Sequence, residues 1–401
     1  MSTNQHLSHR IENIHSSIIK EFVYLAEAEK SKGKDIISLG IGIPFYRMPQ
    51  IIREEVIRVL QDKPDIDKYT PFPGLSKLRS VIAEESEKQL NLSTTMEEIL
   101  VTPGSMAALL YSILAVIDKE DEIILLSPYF PSYAEQVALA EGRIVDVPLI
   151  KAKDKKYHLD IENIAAHITQ RTRAIIINSP SNPSGTVYSE EELRELAKVL
   201  AGKNIYIITD EVYDYLVYEE GYFNIASIKE LWPYVIRCGS FSKRFGMTGW
   251  RVGFIHTNLE LVKKILSMHD NTIVCTPHIS QEAVLAGLTH DIDEIEQNKQ
   301  VLAKNREIVC ERLDKLSDLF TYTIPQGAYY IFPQFNLDIS SLEFAKKLLY
   351  EAGVVTIPGF GFGDSGEKHL RLSFGGSADE INTAFDRIEN WWKEYKLRVR
   401  V

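Results

Sequence analysis

The chain has 401 residues, of which 45% are hydrophobic and 25% are charged, and its formal net charge is −11. This length exceeds one simple core and predicts two lobes, while the composition is typical of a folded protein. The acidic balance disfavours non-specific nucleic-acid binding and membrane-surface binding, because both need a basic face.

The cysteines and the start of the chain bear on the compartment. Cys238, Cys275 and Cys310 are odd in number and widely spaced. They predict neither a disulfide framework nor a zinc site, and they favour a reducing compartment. The polar start lacks the apolar core of a signal peptide, and no apolar run approaches the length of a membrane span. We therefore expect a cytoplasmic protein without a bound metal.

The N-terminal elements are a helix and a glycine-containing turn. Residues 8–32 have apolar side chains at helical spacing, and residues 35–44 predict a short strand that runs into a turn. Gly40 and Gly42 are too few for a dinucleotide fingerprint, which needs a third glycine, a following helix and a distant acid. The glycines at 359–363 fail the same test, so we exclude a Rossmann-type site.

Strands and helices alternate between residues 75 and 253. The predicted strands are 98–102, 123–126, 142–147, 173–178, 205–209 and 235–236, and the predicted helices are 75–89, 106–117 and 189–200. This alternation predicts βαβ units and hence a mainly parallel sheet flanked by helices. Ligands in such sheets bind at the carboxyl ends of the strands, where polar residues of this chain cluster.

The pattern changes after residue 253. Helices are predicted at 258–268, 278–288 and 293–316, followed by short strands at 320–324, 328–332, 354–357 and 370–374. We expect an α/β fold with a large domain at 48–292. A smaller α+β domain would combine residues 293–401 with an N-terminal arm at 1–47.

The stretch 238–253 carries the strongest chemical signal. Ser240, Ser242 and Arg251 supply hydroxyls and a guanidinium, which together can bind a phosphate. Lys243 stands among them and can form a Schiff base with a carbonyl. One cofactor, pyridoxal 5′-phosphate, carries both a phosphate and an aldehyde. An isolated loop lysine is usually only solvated, so the assignment depends on further residues.

Other strand ends supply those residues. Asp210 ends a buried strand, where an unpaired carboxylate is costly, and a pyridinium would be a suitable cationic partner. An ordinary turn-capping aspartate is the alternative, but Asn182 and Tyr213 at neighbouring strand ends favour the cofactor. Gly104 and Ser105 open a helix and form either an anion site or a plain N-cap.

Eight motifs occur in order along the chain. They are Tyr69-Thr-Pro-x-x-Gly74, Ser127-Pro-Tyr-Phe130, Asn178-Ser-Pro-Ser-Asn-Pro-Ser-Gly185, Asp210-Glu-Val-Tyr213, Ser240-Phe-Ser-Lys-Arg-Phe-Gly-Met-Thr-Gly-Trp-Arg-Val-Gly253, Pro325-Gln-Gly-Ala-Tyr-Tyr330, Pro358-Gly359 and Arg371-Leu-Ser-Phe374. Through these motifs the chain resembles the pyridoxal-phosphate-dependent aminotransferases of class I/II, the fold-type-I family, over nearly its whole length.

The resemblance implies a role for each site residue. Lys243 would form the Schiff base and move the Cα proton, Asp210 would hold the pyridine nitrogen, and Phe130 would stack on the ring. Tyr213 and Asn182 would donate to the ring oxygen O3′. The phosphate would be held by Gly104, Ser105, Ser240, Ser242 and Arg251.

The resemblance also implies substrates and a partner. Arg371, with Asn182 and the backbone at Gly42, would bind the substrate α-carboxylate, because a guanidinium presents two parallel donors. Tyr69 would reach the phosphate of the neighbouring subunit in a homodimer with shared sites. The implied reaction exchanges the amino group of an L-amino acid with a 2-oxo acid, with ping-pong kinetics.

Departures from the family pattern bear on the substrate. The family often has Gly-Glu-Pro-Asp where this chain has Gly42-Ile-Pro-Phe45, and Met106 replaces a lysine that binds the distal carboxylate in one aspartate-type subgroup. Ile43, Phe45 and Met106 favour an aromatic or broad-range donor, whereas Arg47 favours a dicarboxylic one. An aspartate-type enzyme is therefore the alternative.

Three rival functions share part of this evidence. A C–S β-lyase would also use Lys243 and Asp210, but residues 243–251 have the transaminase form. A transcription regulator on this fold would need a DNA-binding domain, for which neither length nor charge leaves room. A protein that only binds ligands is disfavoured by the presence of every expected catalytic side chain.

Overall fold

The structure is a computed structural model that describes residues 8–12, 14–219 and 221–399. The polar start at residues 1–7, on which the expected compartment partly depends, lies outside the described residues. Within the described part, no helix is long and apolar enough to span a membrane.

The α-helices of the described residues lie before, between and after the strands of the main sheet. In chain order they are α1 His9–Glu12, α2 Ile18–Ser31, α3 Gln50–Asp62, α4 Ser76–Leu90, α5 Ser105–Val116, α6 Ser132–Leu139, α7 Ile161–Ala166, α8 Glu190–Leu200, α9 Leu259–Thr272, α10 His278–Thr289, α11 Asp293–Lys315, α12 Ser341–Lys347 and α13 Ala378–Val399. The predicted N-terminal helix at 8–32 is therefore divided, with its main part in α2.

The strands form one large sheet and several small ones. In chain order they are β1 Ile37–Ser38, β2 Ile99–Thr102, β3 Glu122–Ser127, β4 Arg143–Pro148, β5 Ile150–Lys151, β6 Tyr157–His158, β7 Thr172–Asn178, β8 Tyr206–Asp210, β9 Val235–Ser240, β10 Gly253–His256, β11 Phe320–Thr321, β12 Tyr330–Ile331, β13 Gln334–Phe335, β14 Val354–Val355, β15 Ile357–Pro358 and β16 Leu370–Ser373.

The large sheet has seven strands in the order β2-β10-β9-β8-β7-β3-β4. The neighbouring pairs from β9 to β4 are parallel. Strand β10 runs antiparallel to both of its neighbours. The predicted mainly parallel sheet flanked by helices is confirmed. Strand β10 was not predicted, because its four residues follow the polar stretch too closely to form a separate pattern.

Both faces of this sheet are buried, as the apolar run in β7 predicts. Ile175 and Ile177 pack into one hydrophobic cluster, and Ala174 and Ile176 pack into another on the opposite face. Successive side chains of a strand point to opposite faces, so a strand covered on both sides must be apolar throughout. Only the strand ends are left for polar chemistry.

Helix α8 shows how local sequence fixes an element. Ser189 accepts a hydrogen bond from the backbone N–H of Glu192, whose carboxylate accepts from the N–H of Ser189 in return. This capping box satisfies two of the free donors at the helix start. Leu193, Leu196 and Leu200 then lie on the buried face, four or three residues apart.

The two ends of the chain share a hydrophobic cluster. It combines Phe22 of α2 with Leu302 of α11, Phe344 of α12 and Phe385 of α13. Strand β1 also pairs in parallel with β14, and this pairing ties the N-terminal segment to the C-terminal one. The division of the chain at residues 47 and 292 stays a prediction, and this shared core is what supports it.

Candidate active site

A cavity of about 450 Å³ lies at the edge of the large sheet where its parallel strands end. Its lining includes eleven of the thirteen residues predicted from the sequence: Gly42, Ser105, Phe130, Asn182, Asp210, Tyr213, Ser240, Ser242, Lys243, Arg251 and Arg371. Gly104 directly precedes the lining residue Ser105. Tyr69 does not line the cavity, and its side chain is 80% exposed.

The register of the sheet brings these distant residues together. Asn178 at the end of β7 pairs with Asp210 at the end of β8, and Asp210 pairs with Cys238 of β9. Because β10 is antiparallel, its first residue, Gly253, pairs with Ser240 at the same edge. The loops that carry Asn182, Tyr213, Lys243 and Arg251 therefore open into one cavity.

Lys243 lines this cavity, and no carboxylate of the described residues forms an ion pair with its amine. Its Nζ donates to the carbonyl oxygen of Gly42 at 2.5 Å. Burial, together with the guanidinium groups of Arg371 and Arg251, lowers the pKa of Lys243 to about 8. About a tenth of the amine is therefore neutral at pH 7, and this fraction can act as a nucleophile or general base.

Asp210 is a buried carboxylate held by two hydrogen bonds. The hydroxyl of Tyr133 donates to Oδ2 at 2.5 Å, and the backbone N–H of Val212 donates to Oδ1 at 3.3 Å. Burial raises the pKa of Asp210 from its ordinary value to about 6 despite these bonds. A cation placed against this carboxylate would stabilise its ionised form.

The backbone around Asp210 is also fixed. The amide of Asn178 donates from Nδ2 to the carbonyl oxygen of Asp210 at 3.0 Å. Its Oδ1 accepts from the backbone N–H of Asn182 at 2.8 Å. Asn178 therefore links the ends of two strands and sets the start of the loop that carries Asn182.

An anion-binding corner lies at the start of α5. Gly104 has a φ of +83°, and a Cβ there would lie 2.5 Å from Nη2 of Arg251. A Cβ at Gly253 would lie 2.7 Å from the backbone N of Ser105. Both glycines therefore allow close approach of the arginine and of the β10 backbone to the helix start. The free N–H groups there, with Ser240 and the arginine, suit a phosphate.

Tyr213 and Tyr330 form part of the cavity wall. The hydroxyls of Tyr213 and Tyr330 lie 2.8 Å apart. Burial, together with Tyr330, raises the pKa of Tyr213 well above its ordinary value, so its hydroxyl keeps its proton and can donate. A Cβ at Gly42 would lie 2.1 Å from Oη of Tyr330, so a side chain at position 42 would collide with this wall.

Arg371 is a buried guanidinium that lines the same cavity. Nη1 donates to Oδ1 of Asn182 at 3.1 Å, and Nη2 donates to the carbonyl oxygen of Gly40 at 2.5 Å. Its Nε has no hydrogen-bond partner among the described residues. The guanidinium carbon lies 4.7 Å from the ring centroid of Tyr330. This cation has donor capacity left for a carboxylate.

Several lining residues were not predicted. Tyr133 and Tyr330 lie just after or within recognised motifs, and a buried strand-end carboxylate that needs a donor would have been a signal for the former. The remaining ones are Ser17, Ile19, Lys20, Leu109, Ser132, Asn178, Val212 and Thr248. Ser17, Ile19 and Lys20 come from the start of α2, and nothing in their local sequence indicates a site.

Only one of the four residues that the sequence analysis connected with donor choice lies at the cavity. Met106 lines the cavity. Ile43, Phe45 and Arg47 are exposed and lie outside the lining residues. The expectation that Arg47 meets a substrate carboxylate therefore gains no support, and the backbone of Arg47 instead packs near Gly246.

Comparisons with known proteins agree on one family. Residues 34–388 match the family model described as aminotransferase class I and II. The chain is 32% identical to the aspartate aminotransferase of Pyrococcus abyssi over 98% of its length and 99% of the relative's. It is 33% identical to aromatic-amino-acid aminotransferase 2 of Thermococcus litoralis, with coverage of 98% and 99%.

A solved structure agrees as well. The aspartate aminotransferase of Thermus thermophilus with maleate superposes with a TM-score of 0.90 at 30% identity, and covers 96% of this chain and 100% of its own.

Proposed function

Because this chain belongs to the class I and II aminotransferases, and is thus an enzyme that transfers amino groups, we propose that the cavity around Lys243 is its active site and takes pyridoxal 5′-phosphate. The observation that carries the proposal is the convergence of Lys243, Asp210 and Arg371 on one cavity. Asp210 ends β8, Lys243 follows β9, and Arg371 lies in β16, which belongs to a different sheet.

The residues of the cavity fit this cofactor in charge and shape. The buried carboxylate of Asp210 has a raised pKa and suits a protonated ring nitrogen. The close approach of Arg251 to Gly104 makes a cradle that any side chain at position 104 would fill. Lys243 lines the same cavity with a lowered pKa, as a lysine that condenses with an aldehyde requires.

Each residue then has a distinct task. Bound pyridoxal phosphate supplies an electron sink that stabilises the charge left when a Cα proton is removed. Asp210, held by Tyr133, would keep the ring nitrogen protonated. Phe130 would lie against the ring, and Tyr213 would donate a hydrogen bond to O3′. Lys243 would accept the Cα proton at Nζ as the general base.

The substrate α-carboxylate is placed by Arg371. Its two Nη atoms now donate to Asn182 and to the carbonyl of Gly40, and its buried Nε has donor capacity left. A carboxylate that pairs with this guanidinium lies near the amine of Lys243, because both groups line the same cavity. Orientation of Cα towards that amine contributes to the rate by bringing the base close to its proton.

The donor side chain would lie against a mixed wall. Ile19, Met106 and Leu109 are apolar and suit a large or aromatic side chain. Lys20 stands beside them as a cation that is not assigned to the phosphate or to the α-carboxylate. We infer a broad-range enzyme that prefers aromatic donors and also accepts dicarboxylic ones, and aspartate-type specificity is the alternative.

A homodimer completes this proposal. Tyr69 is 80% exposed and is not among the residues that line the cavity of its own chain. Phe72, Ile57 and Leu60 nearby in the chain are also exposed. A large aromatic at the tip of a loop, with apolar neighbours, suits contact with a second copy of the chain. In that dimer Tyr69 would complete the phosphate site of the partner subunit.

The test is a single half-reaction in the absence of an acceptor. The purified holoenzyme is mixed with a panel of amino acids, and its visible absorbance and the released 2-oxo acid are measured. We expect about one equivalent of oxo acid per site, and Lys243→Ala should release none while it keeps its melting temperature. Pyruvate and ammonia formed catalytically from a cysteine thioether would instead indicate a β-lyase. Normal turnover by Lys243→Ala would overturn the proposal.

A further inference from the structure

The segment of residues 42–46 contacts Lys243 at both of its ends. The hydroxyl of Tyr46 donates to the backbone carbonyl of Lys243 at 2.7 Å. The Nζ of Lys243 donates to the backbone carbonyl of Gly42 at 2.5 Å. One short segment therefore binds both the backbone carbonyl and the Nζ of Lys243. We call residues 42–46 the clamp segment.

The clamp segment is itself held in place by the small lobe. The carbonyl of Gly42 also accepts from the hydroxyl of Tyr329 at 3.0 Å. The backbone N–H of Phe45 donates to the carbonyl of Gly375 at 2.7 Å. A displacement of Lys243 relative to the small lobe would therefore break several hydrogen bonds together.

The hydroxyl of Tyr46 has a second neighbour, which makes its role testable. It lies 2.8 Å from the hydroxyl of Tyr215. Because the Tyr46 proton is used on the Lys243 carbonyl, Tyr215 donates and Tyr46 accepts in this pair. Burial raises the pKa of Tyr46 to about 12, so the hydroxyl stays protonated and donating over the working pH range.

We propose that Tyr46 is a positioning residue for transamination, which holds the backbone of Lys243 so that the displaced amine returns to one place beside Gly42. The proposal rests on the function proposed above for Lys243. A lysine that is displaced and reused in each half-reaction has four rotatable side-chain bonds, so a fixed backbone restricts where its amine can go. A small misplacement of a general base is costly in rate.

The experiment compares Tyr46→Phe with the matched variant Tyr215→Phe. Tyr46→Phe removes both the bond to Lys243 and the tyrosine pair, whereas Tyr215→Phe removes only the tyrosine pair and keeps the bond to Lys243. In single-turnover assays we expect Tyr46→Phe to slow the amino-acid half-reaction about tenfold, while the Kd of the amino acid changes less than about twofold. Tyr215→Phe should stay within about twofold of the wild type.

A second readout uses the protein without cofactor. The rate at which the Lys243 amine reacts with an amine-labelling reagent is followed against pH by peptide mass spectrometry. In Tyr46→Phe the amine is no longer held in its enclosed position, so its apparent pKa should rise towards the ordinary lysine value. In Tyr215→Phe it should remain that of the wild type.

Either of two results would overturn the proposal. An equal decrease of the half-reaction rate in both variants would show that the tyrosine pair acts through packing. An unchanged rate in Tyr46→Phe would show that the hydrogen bond to Lys243 does not contribute to the rate. Failure of the wild type to perform any half-reaction would count against the proposed function instead, so the two failures are distinguishable.

Discussion

Asp210 lies in surroundings that disfavour its charge when no ligand is bound. Its carboxylate is buried, and its pKa is raised to about 6 mainly because burial penalises the charge. The folded protein therefore holds this proton to a higher pH than the unfolded chain does. The free energy of unfolding of the cofactor-free protein should therefore decrease as the pH rises from about 4 to about 6.

Asp210→Asn should make the cofactor-free protein more stable at pH 7, by up to about 3 kcal/mol. The amide oxygen can accept from the N–H of Val212 and the amide nitrogen can donate to the hydroxyl oxygen of Tyr133, whose own proton then loses its present acceptor. The gain should vanish as the pH falls below about 4, where both side chains are neutral. Chemical denaturation at pH 4 and pH 7 measures this difference.

The same variant should lose activity once cofactor is added, because no carboxylate remains to keep the ring nitrogen protonated. We expect a fall of at least about a hundredfold in kcat. Ser112→Ala, a buried polar change next to Cys238 and outside the cavity lining, is the control. Equal stability of the wild type and Asp210→Asn at both pH values would contradict the assigned cost of the buried charge.

Arg371 is a buried guanidinium whose Nε has no hydrogen-bond partner among the described residues. Arg371→Leu removes the bidentate donor, so we expect kcat/KM for every amino acid to fall about a hundredfold or more. Cofactor affinity, measured by absorbance titration, should stay within about threefold of the wild type. Arg371→Lys keeps the charge without the fork and should lose less. Loss of the cofactor in Arg371→Leu would show that the residue serves the cofactor instead.

Secondary-structure elements differ in how far the sequence predicts their role. The ends of β7, β8 and β9 were predictable, because a buried parallel sheet leaves polar residues only at strand ends, and Asn178, Asp210 and Ser240 stand there. Helix α2 was predicted as a helix, but its first turn was not predicted to line the site. That contact depends on how two ends of the chain pack, which no local pattern encodes.

The pairing of strand β10 also could not be predicted from the local sequence. Its register places Gly253 opposite Thr102 and Ser240, so that Arg251 reaches the start of α5. The motif places Arg251 eight residues after Lys243, but only the antiparallel pairing explains why both face one cavity. Similarly, Tyr46 was not predicted, because its contact with Lys243 spans 197 positions.

The first turn of α2 should influence the choice of donor. Lys20 is exposed at the cavity and lies beside the apolar Ile19. Lys20→Met should lower kcat/KM for aspartate and glutamate about fivefold, and should leave that for phenylalanine within about twofold. Because the Lys20 charge is exposed, added salt should screen it and lower the kcat/KM of the wild type for aspartate and glutamate.

The matched variant at this position is Lys20→Arg, which keeps the charge and should behave as the wild type does towards both donor classes. The test is to measure kcat/KM for both variants with a dicarboxylic and an aromatic donor. An equal loss for phenylalanine and aspartate in Lys20→Met would contradict a charge-specific role and indicate that the residue only shapes the cavity mouth.

The whole molecule, as proposed, is a dimer in which each cavity is built from two chains. A single chain already brings together eleven of the predicted site residues. Tyr69 stands apart from them with its side chain 80% exposed. If it acts on the partner's phosphate, a lesion at Tyr69 and a lesion at Lys243 in the same chain damage different cavities.

Co-expression of Lys243→Ala chains with Tyr69→Phe chains tests this arrangement. Random pairing makes half of the dimers mixed, and each mixed dimer then holds one native cavity and one doubly damaged cavity. About a quarter of all cavities should therefore be native, and activity at limiting cofactor should recover accordingly. Lys243→Ala with Asp210→Asn is the control, because both lesions act within their own chain and no native cavity can form. If the Tyr69→Phe mixture shows no more activity than a blend of the two separately purified variants, Tyr69 serves its own chain or none, and the shared-site dimer is wrong.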